Sequence, residues 1–209
     1  MTESLTLKQR MEHIIDYAYM LFCNQVTGGG IHIDNEASMQ LHLSNILLQL
    51  GRLNVFSSDE HFDIILEKKI LLDSPTCKSK NKKALVDIWI EIIKGIDEYY
   101  AAAIELKHLK KSKAPNVTQK RHSVYEDLEN LEQYASQHAN LMTCEIICSD
   151  NLNFVENKGM KFSIADDSVI SSYDVDAPYG SINLSRQYPP IKWDRYGKYN
   201  FLKITPYIN

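Results

Sequence analysis

The sequence predicts an α/β fold with a central mixed sheet flanked by helices, and three observations carry that expectation. Two amphipathic helical stretches open the chain. Three strands follow, the last two alternating as an apolar hairpin. A further helix and strand complete an order of helix, helix, three strands, helix, strand.

Each element has its own signal. From Leu5 to about Gln25, the apolar residues Met11, Ile14, Ile15, Ala18, Leu21 and Phe22 recur at helical spacing. A second helix is expected from Asp34, read as its N-cap, through Met39, Leu43, Ile46 and Leu47 to Gly51. His61 to Leu72 reads as a strand. SVYEDLENLEQYASQ predicts a helix starting near Ser123, with a capping box to Glu126 and an apolar stripe of Val124, Leu128, Leu131 and Tyr134. Thr143 to Ser149 is a short strand, with Cys144 and Cys148 as small core residues. Beyond Asp150 the periodicity weakens, and a last hairpin is expected between Ile191 and Ile204, turning near Tyr196-Gly197. Residues 1–150 thus form the core and 151–209 a β-rich extension of the same domain, or an arm for recognition and dimerisation.

The stretch from Ala84 to Lys111 carries the chemistry. Val86, Ile88, Ile90 and Ile92 alternate on one face of the first strand, and Tyr100, Ala102, Ile104 and Leu106 on that of the second. The other face holds Asp87, Trp89 and Glu91 opposite Ala101, Ala103, Glu105 and Lys107, with Trp89 expected to pack on the second helix. A turn centred on Ile96 makes Asp87 and Glu105 direct cross-strand neighbours, roughly 4.5–5.5 Å apart at Cβ, where like charges repel. Two carboxylates and a lysine over small alanines make a poor structural device and a good cation site.

Composition narrows the setting. The chain has 209 residues and a formal net charge of -4, so it is not coated in positive charge. Basic residues do cluster locally: Lys82 and Lys83 before the acidic hairpin, and Lys110, Lys111, Lys113, Lys120 and Arg121 after it. They flank the acidic face and are candidate nucleic-acid contacts. No apolar run is long enough to span a bilayer, and the N-terminus reads as an amphipathic helix, so a cytoplasmic protein with its four cysteines as thiols is expected. No histidine pair has H-x-x-x-H spacing, which argues against a zinc site.

Asp87, followed on the next strand by Glu105-Leu106-Lys107, resembles the motif of the PD-(D/E)xK, restriction endonuclease-like nucleases, with Val86 in place of the proline. Glu36 resembles the extra acidic residue many members carry on a preceding helix. The family core of helix, three strands, helix and strand is similar to the order from Asp34 to about Ser149. The resemblance implies a metal-dependent nuclease, a DNA endonuclease first of all. Asp87, Glu105, Glu36 and the Leu106 carbonyl would hold Mg²⁺ or Mn²⁺, and Lys107 would stabilise developing charge. Gln133 and Tyr134 match loosely the Gln or Tyr that some members place on the next helix. A ribonuclease, or a non-catalytic binding or assembly module on the same fold, are the alternatives. A homodimer or larger assembly through the C-terminal extension is the expected partner state, and a two-fold dimer fits double-strand cleavage by one site per chain.

Overall fold

Capping side chains set the opening helices in the computed structural model, which describes residues 5–111, 116–157, 159, 161–174 and 179–206. Helix α1 (Leu7–Thr27) starts in a capping box: Thr6 accepts the Gln9 N–H, and the Gln9 side chain accepts the Thr6 N–H. Helix α2 (Glu36–Leu53) is capped by Asn35, not by Asp34. Asn35 Oδ1 accepts the Ser38 N–H at 2.8 Å, and Ser38 Oγ accepts the Asn35 N–H in return.

Strands β1 (Glu60–Leu71), β2 (Lys83–Lys94) and β3 (Glu98–Leu109) follow, then α3 (Val117–Gln137), β4 (Leu141–Ser149), a short α4 (Leu152–Val155), β5 (Asp194–Tyr196) and β6 (Tyr199–Ile204). The six strands lie in the order β1-β2-β3-β4-β6-β5. Only β3 and β4 run parallel, so the sheet is mixed. The hairpin β2–β3 is centred on Ile96, with Ile88 opposite Ile104 and Lys94 opposite Glu98. Gly95 supplies the positive φ the turn requires. The last hairpin, β5–β6, adds two strands outside β4, so this part of the C-terminal region extends the sheet.

Helix α3 begins earlier than the sequence suggests. Asn116 is its N-cap, accepting the Gln119 N–H at 3.0 Å, and Ser123 lies inside the helix with its hydroxyl donating to the Lys120 carbonyl. The basic residues 120–122 are therefore helical. The helix buries far more than its stripe, because the sheet lies on one side and residues 162–174 and 179–193 on the other. Glu132 accepts the Tyr188 hydroxyl at 2.8 Å and the Ser185 N–H, and Glu129 accepts the backbone N–H groups of Cys77 and Asn183.

Helices α1 and α2 cover one face of the sheet, over Ile88, Ile90, Ile92, Ala102, Ile104, Leu106 and Ile146. Helix α3 and the C-terminal segment cover the other, over Ala101, Ala103 and Ile147. Val86 joins this second core, on the side opposite Ile88, which corrects the continuous alternation read from the sequence. The strand rolls over at Asp87. Pairing skips Asp87 and its neighbour Glu67 on β1, Glu67 takes a φ of 53°, and Gln40 of α2 donates to both the Glu67 carboxylate and the Asp87 carbonyl. Trp89 also faces α3's side, edge-on to His138 and under Lys68, and not toward α2.

Candidate active site

The site is built where β2 and β3 part. Their ladder ends at Ile88 and Ile104, so Asp87 and Glu105 form the next cross-strand level. At that level the Asp87 side chain takes over from the backbone: Oδ2 accepts the Leu106 N–H at 2.7 Å. The Leu106 group that meets Asp87 is thus its amide. Burial pushes the Asp87 carboxyl up, while this N–H and the Lys107 charge pull it down, and burial prevails.

Glu105 is the centre of the cluster and is 1% exposed. Its parallel neighbour on β4 is Glu145, 0% exposed, directly across the β3–β4 register. Above them α3 contributes Asp127, fully buried, and Tyr134, whose hydroxyl lies 3.5 Å from Glu105 Oε1. Lys107 of β3 and Lys78 of the loop before β2 both pair with Asp127. Lys78 Nζ also lies 3.9 Å from Glu105.

The charges do not balance. Ionised, Asp87, Glu105, Asp127 and Glu145 carry four negative charges against two on Lys78 and Lys107. Asp127 is neutralised from both sides, whereas neither carboxylate oxygen of Glu145 has a hydrogen-bond partner among the described residues. A buried carboxylate left this way must hold a proton or meet a cation. Burial, with Asp127 close by, pushes both Glu105 and Glu145 well above the ordinary range. The two lysines are raised as well, which for them favours the charged form. Burial works against their charge, but Asp127 and the glutamates outweigh it and hold both pKa values up. The donors facing this excess are carboxylate oxygens, the donor type of a hard divalent cation, although among the described residues no three of them draw within 4.8 Å of one another.

Four sequence candidates gather here to different degrees. Asp87, Glu105 and Lys107 share the cluster. Glu36, the first residue of α2, is exposed and stands at its rim, its carboxylate accepting the His108 N–H at 3.3 Å. Glu91 is held elsewhere, by the Trp89 indole and Lys68. Gln133 turns away to Ser74, while Tyr134 reaches Glu105.

Asp127, Glu145 and Lys78 were missed. Two of them leave a legible trace. Asp127 lies three residues after Val124 and four before Leu131, on the helix's own apolar stripe, and Glu145 interrupts the apolar run of β4. Lys78 is one lysine in a lysine-rich loop, and its spacing gives no sign of its role.

The basic candidates divide. Lys82, Lys83, Lys110 and Lys111 are exposed and Lys120 half-buried, whereas Lys113 lies outside the described residues. Arg121 is not a surface contact. It is 4% exposed, with its guanidinium donating to the carbonyls of Asn153 and Asn157, so it pins α4 to α3. Among the described residues no helix is long and apolar enough to cross a membrane. No family model matches the chain, and no curated protein or solved structure is similar to it at a significant level.

Proposed function

We propose that this chain is a metal-dependent nuclease that hydrolyses phosphodiester bonds, with DNA favoured over RNA by the PD-(D/E)xK resemblance alone. The observation that carries the reading is the buried excess of two negative charges where β2 and β3 part, with Lys107 beside it. Asp87 and Glu105 would hold Mg²⁺ or Mn²⁺, joined by Glu145 from β4, and Glu36 at the rim would orient water. The ion would act as a Lewis acid on the phosphate and lower the pKa of bound water. Lys107 would stabilise the charge that develops on the phosphoryl oxygens, and Asp127 would keep that ammonium charged and aimed. Exposed Lys82, Lys83, Lys110 and Lys111 would hold the flanking backbone through phosphate contacts.

The test is a cleavage assay on supercoiled, linear and single-stranded DNA and on RNA, with Mg²⁺ or Mn²⁺ against EDTA. Cleavage that needs the ion and disappears in Asp87→Asn and Glu105→Gln supports the reading. No cleavage of any substrate by the unaltered chain overturns it.

One observation favours a second reading, a non-catalytic module that binds nucleic acid. The cluster is closed, with Glu105 1% exposed and Lys78 and Lys107 both engaged by Asp127. Retained nucleic-acid binding without cleavage, unchanged in Asp87→Asn, is its signature.

A further inference from the structure

A second cluster of donors lies beside Lys78, away from the acidic pair. Cys77 precedes Lys78 in the loop before β2, and His122 and Glu126 stand one turn apart on α3. Cys77 Sγ is 3.9 Å from His122 Nε2, and His122 Nδ1 is 3.7 Å from Glu126 Oε2. One ligand atom from each residue lies within 4.8 Å of the other two.

The surroundings form a built site. His122 is buried, with the rings of Phe162 and Tyr179 centred 4.7 and 5.1 Å away, so its imidazole is fixed before any ligand arrives. Cys77 and Glu126 are half-buried at the wall of a polar cavity of about 800 Å³, which Lys78, Lys80, Asn116 and Gln119 also line. The chain at Gly180 passes so close that a Cβ there would sit 2.5 Å from Cys77 Sγ. This position has room for the thiol because it carries no side chain.

We propose that Cys77, His122 and Glu126 bind a thiophilic divalent ion of the Zn²⁺ type, with the fourth position open to the cavity. The donor set decides the class. Sulfur and imidazole select zinc over Mg²⁺ or Ca²⁺, which take oxygen donors such as those of the acidic cluster. Bonds of about 2.0–2.3 Å place tetrahedral ligand atoms roughly 3.3–3.8 Å apart. The two distances run to opposite ring nitrogens, so one nitrogen serves the ion, and Cys77 and Glu126 turn toward it to close the 4.8 Å triangle to that size.

Binding turns the Cys77 thiol into a thiolate ligand and releases its proton to solvent, with no change of oxidation state. Without an ion, burial and the Glu126 charge keep the thiol protonated. The sequence hid this site because its ligands are of three residue types from two elements, so no histidine pair marks it. The proposal stands apart from the nuclease reading. The two meet at Lys78, since an ion on Cys77 fixes the loop from which Lys78 reaches Asp127 and Glu105.

The experiment uses the full chain stripped with EDTA and titrated with Co²⁺ or Zn²⁺. One thiolate-bound Co²⁺ per chain is expected, marked by a thiolate-to-cobalt charge-transfer band that Co²⁺ on the acidic cluster does not give. That band is absent in Cys77→Ser, and Glu126→Gln weakens Zn²⁺ binding at least tenfold. In the unaltered chain, Zn²⁺ slows iodoacetamide alkylation of Cys77, and excess Mg²⁺ does not. Because Cys23, Cys144 and Cys148 are buried, alkylation reports on Cys77 and decides the matter even if a variant fails to fold. Alkylation indifferent to Zn²⁺, or a charge-transfer band that survives in Cys77→Ser, overturns the proposal.

Discussion

The Asp87 carboxylate accepts the Leu106 N–H at 2.7 Å, one level beyond the last backbone pair of the β2–β3 ladder. A side chain replaces a main-chain acceptor where the strands separate. The carboxylate is thereby held at the level of Glu105, and Lys107, two residues past Glu105, lies on the same face. This geometry sets what substitutions there should do.

Lys107→Met keeps the length of the side chain and removes its charge. If Lys107 stabilises developing negative charge, cleavage in Mg²⁺ falls by roughly 10²–10³-fold, the scale for losing one such preorganised group. Metal binding, followed by calorimetric titration with Mn²⁺, survives in this variant and is lost in Glu105→Ala. Glu91→Ala leaves both unchanged.

Asp127 and Glu145 are equally buried and should respond in opposite ways. Asp127→Ala strands Lys78 and Lys107 and is expected to cost about 3–5 kcal/mol, as for breaking other buried ion pairs. Glu145→Gln removes a carboxylate that has no hydrogen-bond partner among the described residues and is expected to be neutral or stabilising in EDTA. Urea denaturation midpoints of the two variants test the contrast. A loss in Glu145→Gln as large as that in Asp127→Ala would overturn the contrast.

The raised carboxyls of Glu105 and Glu145 give the metal-free protein an unusual pH dependence. Above the ordinary glutamate value of about 4.3 the unfolded chain releases these protons while the folded chain keeps them. The folded state then binds more protons, so stability falls as pH rises from that value through the raised pKa values. Thermal melts in EDTA should show a higher melting temperature near pH 5 than near pH 8. The slope should shrink in Glu145→Gln. Mn²⁺ should raise the melting temperature more at pH 8, where the deprotonated cluster is available.

Gly51 offers a test of packing. In a helix, alanine usually improves on glycine by up to about 1 kcal/mol. At Gly51 the new Cβ would fall 2.3 Å from the Phe62 ring, where α2 crosses β1. Gly51→Ala is therefore expected to destabilise by about 1–3 kcal/mol, the range for overpacking, as read from chemical denaturation.

Exposed and buried basic residues should separate in binding assays. Lys83→Ala and Lys110→Ala each lower the salt dependence of nucleic-acid affinity by about one unit of slope, without changing stability. Arg121→Ala costs stability instead, because it leaves the Asn153 and Asn157 carbonyls without their donor. Fluorescence anisotropy across a salt series, paired with melting curves, distinguishes the two effects.

Periodicity and register made most of the framework legible. The centre of the hairpin at Ile96 follows from the alternation of β2 and β3, and the opposition of Asp87 and Glu105 follows from that centre. What escaped depends on tertiary packing. The roll of β2 at Asp87, which sends Val86 to the other core, arises from Gln40 and Leu106, distant in sequence. The early start of α3 depends on Asn116, whose cap carries no stronger local signal than the box at Ser123. Asp127 and Glu145 were visible as charges in apolar patterns, and their meaning emerged only once α3 and β4 lay beside β3.

The Glu105–Glu145 pairing has a kinetic side. These residues meet only when β3 and β4 close in parallel around the whole of α3, a non-local step that forfeits chain entropy before its contacts form. The repulsion between the two carboxylates is deferred to that step, and the closed sheet alone offers a place for a neutralising ion. Such an ion would act mainly after the barrier to folding, slowing the opening of the β3–β4 seam more than it speeds the search that joins it.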